Sequence, residues 1–176
     1  MSKTKLFIAP HNDDEALFGS YIILREKPKV VVVTRSFLQE KRGIYWQTRE
    51  QESREAMKIL GAEIEFLNLP DVTLNEKELI ECLKKYSNIE KVYAPGLQNG
   101  NREHDIVSKA CTKVFKDKVI YYATYTKENF TPVGSIEIKP TLQEIKLKNK
   151  ALECYKSQAH NYKHFDAVRG KLEYLR

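Results

Sequence analysis

The chain has little cysteine, little histidine and no long apolar run, and each shortage removes a class of protein. Its three cysteines, Cys82, Cys111 and Cys154 among 176 residues, are odd in number, scattered and placed on predicted helices. That set argues against a disulfide framework and for a reducing compartment. No apolar stretch approaches the roughly 20 residues that a membrane-spanning helix needs. Met1-Ser2-Lys3-Thr4-Lys5 runs straight into a strand-like segment with no signal-peptide pattern. A cytoplasmic protein without stable membrane insertion is expected. Internal repeats and low-complexity tracts are also missing, so residues 1–176 read as a single domain with a core of ordinary size.

Charge excludes less. The formal net charge is +6, but the lysines alternate with glutamates, as in Glu76-Lys77-Glu78, which is the look of solvated helix faces. No aromatic-basic module is present, so no nucleic-acid partner is expected. A basic surface would favour an anionic ligand. Oligomeric state is not encoded legibly, and a homo-oligomer stays open.

The element order is clearer. Leu6 to Ala9, Lys29 to Thr34, Glu63 to Leu69 and Lys91 to Ala94 read as strands, and Val119 to Thr126 and Ser135 to Lys139 follow. Between them lie helical patterns. One resumes at Ala16-Leu17-Phe18; another runs from Arg49 to Leu60, with Thr48 as its cap, Glu52 as a loose capping box and Gly61 as its stop. Further helices are expected at Glu76 to Tyr86, Asp105 to Phe115 and Thr141 to Gln158. Strand and helix alternate four times. The fold class is therefore α/β: a Rossmann-like, mostly parallel sheet with helices on both faces and right-handed crossovers. Ligands of such sheets sit outside the carboxyl ends of the strands, near the switch in strand order.

Two polar loops fall on that edge. The first is Pro10-His11-Asn12-Asp13-Asp14-Glu15, directly after the first strand; the second is Gly96 to His104, after the fourth. Three adjacent carboxylates repel one another unless something positive lies among them. His11 and Asp14 are three apart where strand turns into helix, and neutral imidazole with carboxylate is a good zinc donor pair. Of the four histidines, His104 is the one that the topology brings to the same edge. His11, Asp14 and His104 thus make a two-histidine, one-carboxylate set for Zn2+ with room for water. Asp13 is then available to take a proton from that water. Glu15 would favour the helix N-terminus or orient a ligand. Spacing leaves two alternatives open: an ordinary acidic N-cap beside a surface histidine, and an acidic magnesium site for phosphoryl transfer. Ser36 to Trp46 contains aromatic and basic residues at this edge, and Tyr45 or Trp46 could stack on a sugar ring. His160 and His164, four apart, form a weaker metal-binding pattern.

The motif Pro10-His11-Asn12-Asp13-Asp14-Glu15 resembles the signature of the N-acetylglucosaminyl-phosphatidylinositol de-N-acetylase family, the PIG-L or LmbE-like proteins. Arg49-x-x-Glu52-x-x-x-Ala56-x-x-x-Leu60-Gly61, Gly100-Asn101-Arg102-Glu103-His104 and Lys150-Ala151-Leu152 with Ser157-Gln158 resemble further family segments in the same order. The resemblance implies a Rossmann-like fold and zinc held by His11, Asp14 and His104. It also implies Asp13 as general base, Arg49 on the substrate side, and hydrolysis of the N-acetyl group of an amino-sugar conjugate. Glu103 replaces the family's Asp, and a second departure matters more. Asn101 stands where the family often has a histidine that assists the tetrahedral intermediate; Asn can donate a hydrogen bond to an oxyanion but cannot deliver a proton. A catalytically weakened member that binds a sugar or nucleotide-sugar is the alternative.

Overall fold

In the computed structural model of the chain, seven strands form one sheet: β1 (Thr4–Ala9), β2 (Lys29–Arg35), β3 (Ile64–Pro70), β4 (Ile89–Pro95), β5 (Val119–Tyr122), β6 (Ile136–Ile138) and β7 (Glu173–Leu175). Their order is β3-β2-β1-β4-β5-β7-β6. The first five run parallel, and β7 and β6 join antiparallel at one edge. The structure describes residues 4–35, 43–126 and 132–176, apart from the side chains of 159–162 and 164. Helices α1 (Asp14–Glu26), α2 (Trp46–Leu60), α3 (Glu76–Leu83), α4 (Arg102–Phe115), α5 (Leu142–Leu152) and α6 (Tyr162–Val168) connect or cover the strands. No helix among the described residues is long and apolar enough to cross a membrane.

The two faces follow from the period-two geometry of a strand. On β1, Leu6 and Ile8 point to one side, where Val31, Val33 and Val92 meet Leu79 and Leu83 of α3 and Val107 and Cys111 of α4. Phe7 and Ala9 point to the other, against α1, α2 and α5. Val30 to Val33 are all fully buried, as expected for an inner parallel strand covered on both faces. Gly19 permits the tightest contact: a Cβ there would come within 2.2 Å of the Phe7 ring. Phe7 in turn stacks on Tyr122 at 4.6 Å. The antiparallel edge is tied to the helices by a fully buried ion pair. Lys148 donates to Glu173 at 2.8 Å and to the Leu17 carbonyl at 2.9 Å.

Several boundaries differ from the sequence reading. Helix α2 starts at Trp46, with Tyr45 at the N-cap and no side-chain cap, and not at Arg49 behind Thr48. The Tyr45 carbonyl already accepts from Thr48 and Arg49, and Glu52 is occupied by Ser157 and not by a capping box. Gly61 does stop the helix, at φ 72°. Helix α3 ends at Leu83, and β5 stops at Tyr122. Helix α4 begins at Arg102, so His104 sits in a first helical turn and not in a loop. The long C-terminal helix ends at Leu152, and a 3-10 segment (Lys156–Asn161), α6 and β7 follow. The break has a tertiary cause: Tyr155 is drawn inward to Glu15 and Ser157 to Glu52. Residues 36–42 of the aromatic-basic loop, and the side chains of His160 and His164, lie outside the described residues.

Candidate active site

Strand β1 lies between β2 and β4, and connections leave it in opposite directions, so the switch in strand order is at β1 and β4. Residues 11–14 leave the carboxyl end of β1, and 96–104 leave that of β4. The fold therefore brings His11, Asp14 and His104 together. The Asp14 Oδ2 atom is 3.1 Å from His11 Nδ1 and 3.1 Å from His104 Nε2. The two imidazole nitrogens are 3.3 Å apart. Among the described residues these three form a group whose donor atoms all lie within 4.8 Å of one another.

Those spacings allow a direct test of fit. Ligands about 2.0–2.1 Å from a tetrahedral zinc stand roughly 3.3 Å from each other, and the three measured separations are 3.1, 3.1 and 3.3 Å. The tautomer of His104 also fits. Gln98 donates through Nε2 to the Thr124 carbonyl at 2.7 Å, which identifies its Oε1 as the acceptor of the Thr124 hydroxyl at 2.9 Å. The single Thr124 proton being committed there, its oxygen accepts from His104 Nδ1 at 3.2 Å. In the neutral ring that a metal ligand requires, Nε2 is then the nitrogen without a proton, and it is the one that faces Asp14. Thr124 and Gln98 carry no sequence signal. Only their placement beside His104 reveals them.

Asp14 is 1% exposed. Burial would raise its pKa, but the His104 and His11 charges and hydrogen bonds outweigh that and hold it well below the usual carboxylate range. Asp13 moves the other way. Burial raises it to about 7, against the pull of Arg49 and with a further push from Asp14. The two adjacent carboxylates are thus driven apart by their surroundings, an arrangement common where side chains have different chemical roles.

Asp13 is not an ordinary cap. Its carbonyl accepts from Ala16 and Leu17 and so starts α1, yet its side chain makes no cap hydrogen bond. Capping residues normally hold extended backbone and turn their oxygen toward the helix. Here φ is 130° and ψ is −29°, a region that L-residues rarely enter. The carboxylate faces Arg49 instead, with Arg49 Nη2 at 3.0 Å from Oδ2. The same nitrogen also donates to the Asn12 carbonyl. Glu15 holds the other side: its Oε2 accepts from the Asp13 amide at 3.0 Å, and its Oε1 accepts from the Tyr155 hydroxyl at 2.7 Å. Burial raises the Glu15 pKa against the hydrogen bonds from Ser53 and Tyr155. Arg49 is only 3% exposed, so it is neither a surface ion pair nor open to the solvent. Its contact is with the Asp13 carboxylate.

The remaining expected residues lie at the starts of two helices. Asn101 is the N-cap of α4. Its Oδ1 accepts from the Glu103 amide at 2.8 Å, and its Nδ2 donates to the Tyr125 hydroxyl at 3.2 Å. Tyr45 is 63% exposed at the start of α2. Trp46 is half-buried, with the Arg35 guanidinium 5.3 Å above its ring.

No curated protein matches the chain. Among solved structures, teicoplanin deacetylase Orf2 in its zinc-inhibited form aligns at 14% identity over 94% of this chain and 90% of its own, with TM-score 0.71. A deacetylase-bog complex from the biosynthesis pathway of teicoplanin gives 14% identity over 94% of this chain and 90% of its own, with TM-score 0.74. GalB, the 4-carboxy-2-hydroxymuconate hydratase of Pseudomonas putida, aligns at 16% identity over 95% of this chain and 84% of its own, with TM-score 0.69. At such identities the likeness is one of fold, and hydratase and deacetylase share it. The family model named PIG-L, GlcNAc-PI de-N-acetylase, matches residues 6–115, well over half of the chain and spanning all three donors. The chain belongs to the PIG-L family.

Proposed function

We propose that the protein is a zinc-dependent de-N-acetylase acting on an N-acetylglucosamine-like conjugate. The observation that carries this reading is the convergence of His11, Asp14 and His104 at zinc-ligand spacings, beside an Asp13 that occupies an N-cap without capping. His11 Nδ1, Asp14 Oδ2 and His104 Nε2 would hold the ion, and the Thr124 contact fixes the His104 tautomer. Zinc supplies positive charge that polarises the amide carbonyl and makes the attacking water acidic.

The protein's own groups do the rest. Asp13 takes a proton from the water as its oxygen attacks the amide carbon. The same carboxyl returns that proton to the nitrogen as the carbon–nitrogen bond breaks, giving acetate and a free amine. One carboxyl serving both steps removes the need for an acid at position 101. Arg49 and the Glu15–Tyr155 pair keep Asp13 aimed. Tyr45, exposed one turn before Arg49, offers a flat face to a sugar ring. Trp46 is the poorer platform, since Arg35 covers one of its faces.

A second reading, a weakened family member that binds an amino sugar without turning it over, is favoured by Asn101, whose amide is committed to the helix cap and to Tyr125. Metal content by elemental analysis, followed by amine release from N-acetylglucosamine conjugates, separates the two. The expected result is about one zinc per chain, lost in both His104→Ala and Asp14→Ala, with acetate release by the loaded wild type. Zinc retention without amine release selects the binding role. Protein that refuses added zinc removes the hydrolytic mechanism.

A further inference from the structure

A cleft of about 270 Å3 is lined by Gly96 and Leu97 after β4, Ser108 of α4, Tyr121 of β5 and Arg176 after β7. It shares no residue with the proposed metal centre or with the groups that orient it. Ser108 is 1% exposed, and its Oγ meets no hydrogen-bond partner. The hydroxyls nearby are spent on other contacts. Thr112 Oγ1 donates to the Ser108 carbonyl at 2.8 Å, so the Tyr121 hydroxyl, 2.7 Å from Thr112 Oγ1, is the donor in that contact. A buried hydroxyl left without a partner costs free energy and calls for a group that completes it.

We propose that this cleft binds a small monocyclic carboxylate: one apolar ring that bears an anionic group and one further polar atom. Size sets the first limit. At roughly 30 Å3 for each water in the liquid, 270 Å3 is room for about nine waters, or for a single substituted ring. The walls are mostly apolar and come from Leu97, Tyr121 and the arm of Arg176. Leu97 is 52% exposed, so an entering ring would cover apolar surface that now faces solvent. The anion belongs with Arg176, which is held in place and is no loose surface side chain. Its amide donates to the Tyr121 carbonyl at 2.8 Å, and its Nη1 donates to the Leu97 carbonyl at 2.6 Å. Its Cδ crosses Gly96 so closely that a Cβ there would lie 2.8 Å away. One carbonyl leaves the guanidinium with further N–H donors for a carboxylate, and no aspartate or glutamate among the described residues pairs with it. The remaining polar atom of the ligand, a ring hydroxyl, supplies the partner that Ser108 lacks. The site stands independently of the de-N-acetylase reading.

Calorimetry on the full chain with benzoate, 3-hydroxybenzoate and 4-hydroxybenzoate, each with and without added zinc, is the test. Benzoate is expected to bind with Kd on the order of 1 mM, and the better of the two hydroxybenzoates about threefold or more tighter. Arg176→Gln should weaken all three about tenfold or more. Ser108→Ala, a substitution that a helix accepts readily, should leave benzoate unchanged and erase the hydroxybenzoate advantage. Zinc should alter none of these values. No saturable binding by the wild type, or hydroxybenzoates no tighter than benzoate, would overturn the proposal. Binding that needs zinc and ignores Arg176→Gln would overturn it too, because the carboxylate would then sit on the metal. A chain that refuses zinc yet binds a hydroxybenzoate through Arg176 and Ser108 upholds the cleft while the hydrolytic mechanism falls.

Discussion

Replacing Asp13 by glycine and by alanine separates two energies that this position combines. Both variants remove the carboxylate from Arg49, a guanidinium 3% exposed, and stripping one partner from a buried ion pair costs about 3–5 kcal/mol. That loss is common to the two and cancels in their difference. What remains is the backbone. At φ 130° and ψ −29°, a residue with a Cβ stores roughly 1–3 kcal/mol of strain, which glycine escapes. Glycine gives back about 0.5–1 kcal/mol through the greater freedom of its unfolded chain. Asp13→Gly should therefore be the more stable variant by on the order of 1–2 kcal/mol, the reverse of the order in a helix interior. For a chain of this size that is a gap of roughly 2–8 °C in Tm. Urea and thermal unfolding of both variants, with chelator present so that metal affinity plays no part, would measure it. An alanine variant as stable as the glycine variant, or more so, refutes the claim that the Asp13 backbone is strained.

Two further outcomes follow from contacts around the same sheet edge and from the far side of α1. Thr124→Val keeps the shape of the side chain but removes the acceptor that fixes the His104 tautomer; zinc affinity, read by competition with a chromogenic chelator, should fall about 10–100-fold, and an unchanged affinity would mean that the ring is oriented by something else. Glu144 is held down to about 2, first by the hydrogen bond from Arg25 and then, against burial, by the Thr141 cap. A folded pKa below the unfolded value of 4.5 gives stability that is complete above pH 4.5 and is lost as pH falls through 2. The stability gap between wild type and Glu144→Gln, followed by urea titration at each pH, should therefore close across that window; a gap that stays constant from pH 6 to pH 2 would sink the assignment.

How much of the site could be read from the chain depends on how the chain reaches it. His11, Asp13 and Asp14 are contiguous, and the strand-to-helix turn alone brings them to one edge. His104 needed one further step, the rule that β1 and β4 flank the switch point, and the sheet order has that form. The supports around them were not legible. Thr124 and Gln98 are ordinary polar residues that acquire a role only by pairing across the ends of β4 and β5. The resemblance puts Arg49 on the substrate side, but its partners were not legible: α2 begins three residues sooner than a start at Arg49, and its first turn brings the guanidinium to the Asn12 carbonyl and the Asp13 carboxylate. The long C-terminal helix failed for a related reason. Its local periodicity continues past Leu152, but two buried carboxylates, Glu15 and Glu52, draw Tyr155 and Ser157 out of register.

That last failure bears on what the C-terminal third of the chain is for. The family match covers residues 6–115 and contains every proposed metal ligand together with Asp13. Yet the groups that orient those residues come largely from beyond it. Thr124 sets the His104 tautomer, Tyr125 packs on the His104 ring, and Tyr155 reaches Glu15, which in turn holds the amide of the strained Asp13. Lys148 and Glu173 anchor α1 from behind through the Leu17 carbonyl and the Tyr21 amide. A backbone conformation that costs free energy persists only where its surroundings over-determine it, and here the surroundings are supplied by α2, the segment after α5 and the antiparallel edge together. Residues 116–176 thus complete the site, and do more than cover the sheet. The ligands alone would give a place where zinc could sit. The later residues give Asp13 a fixed direction beside it.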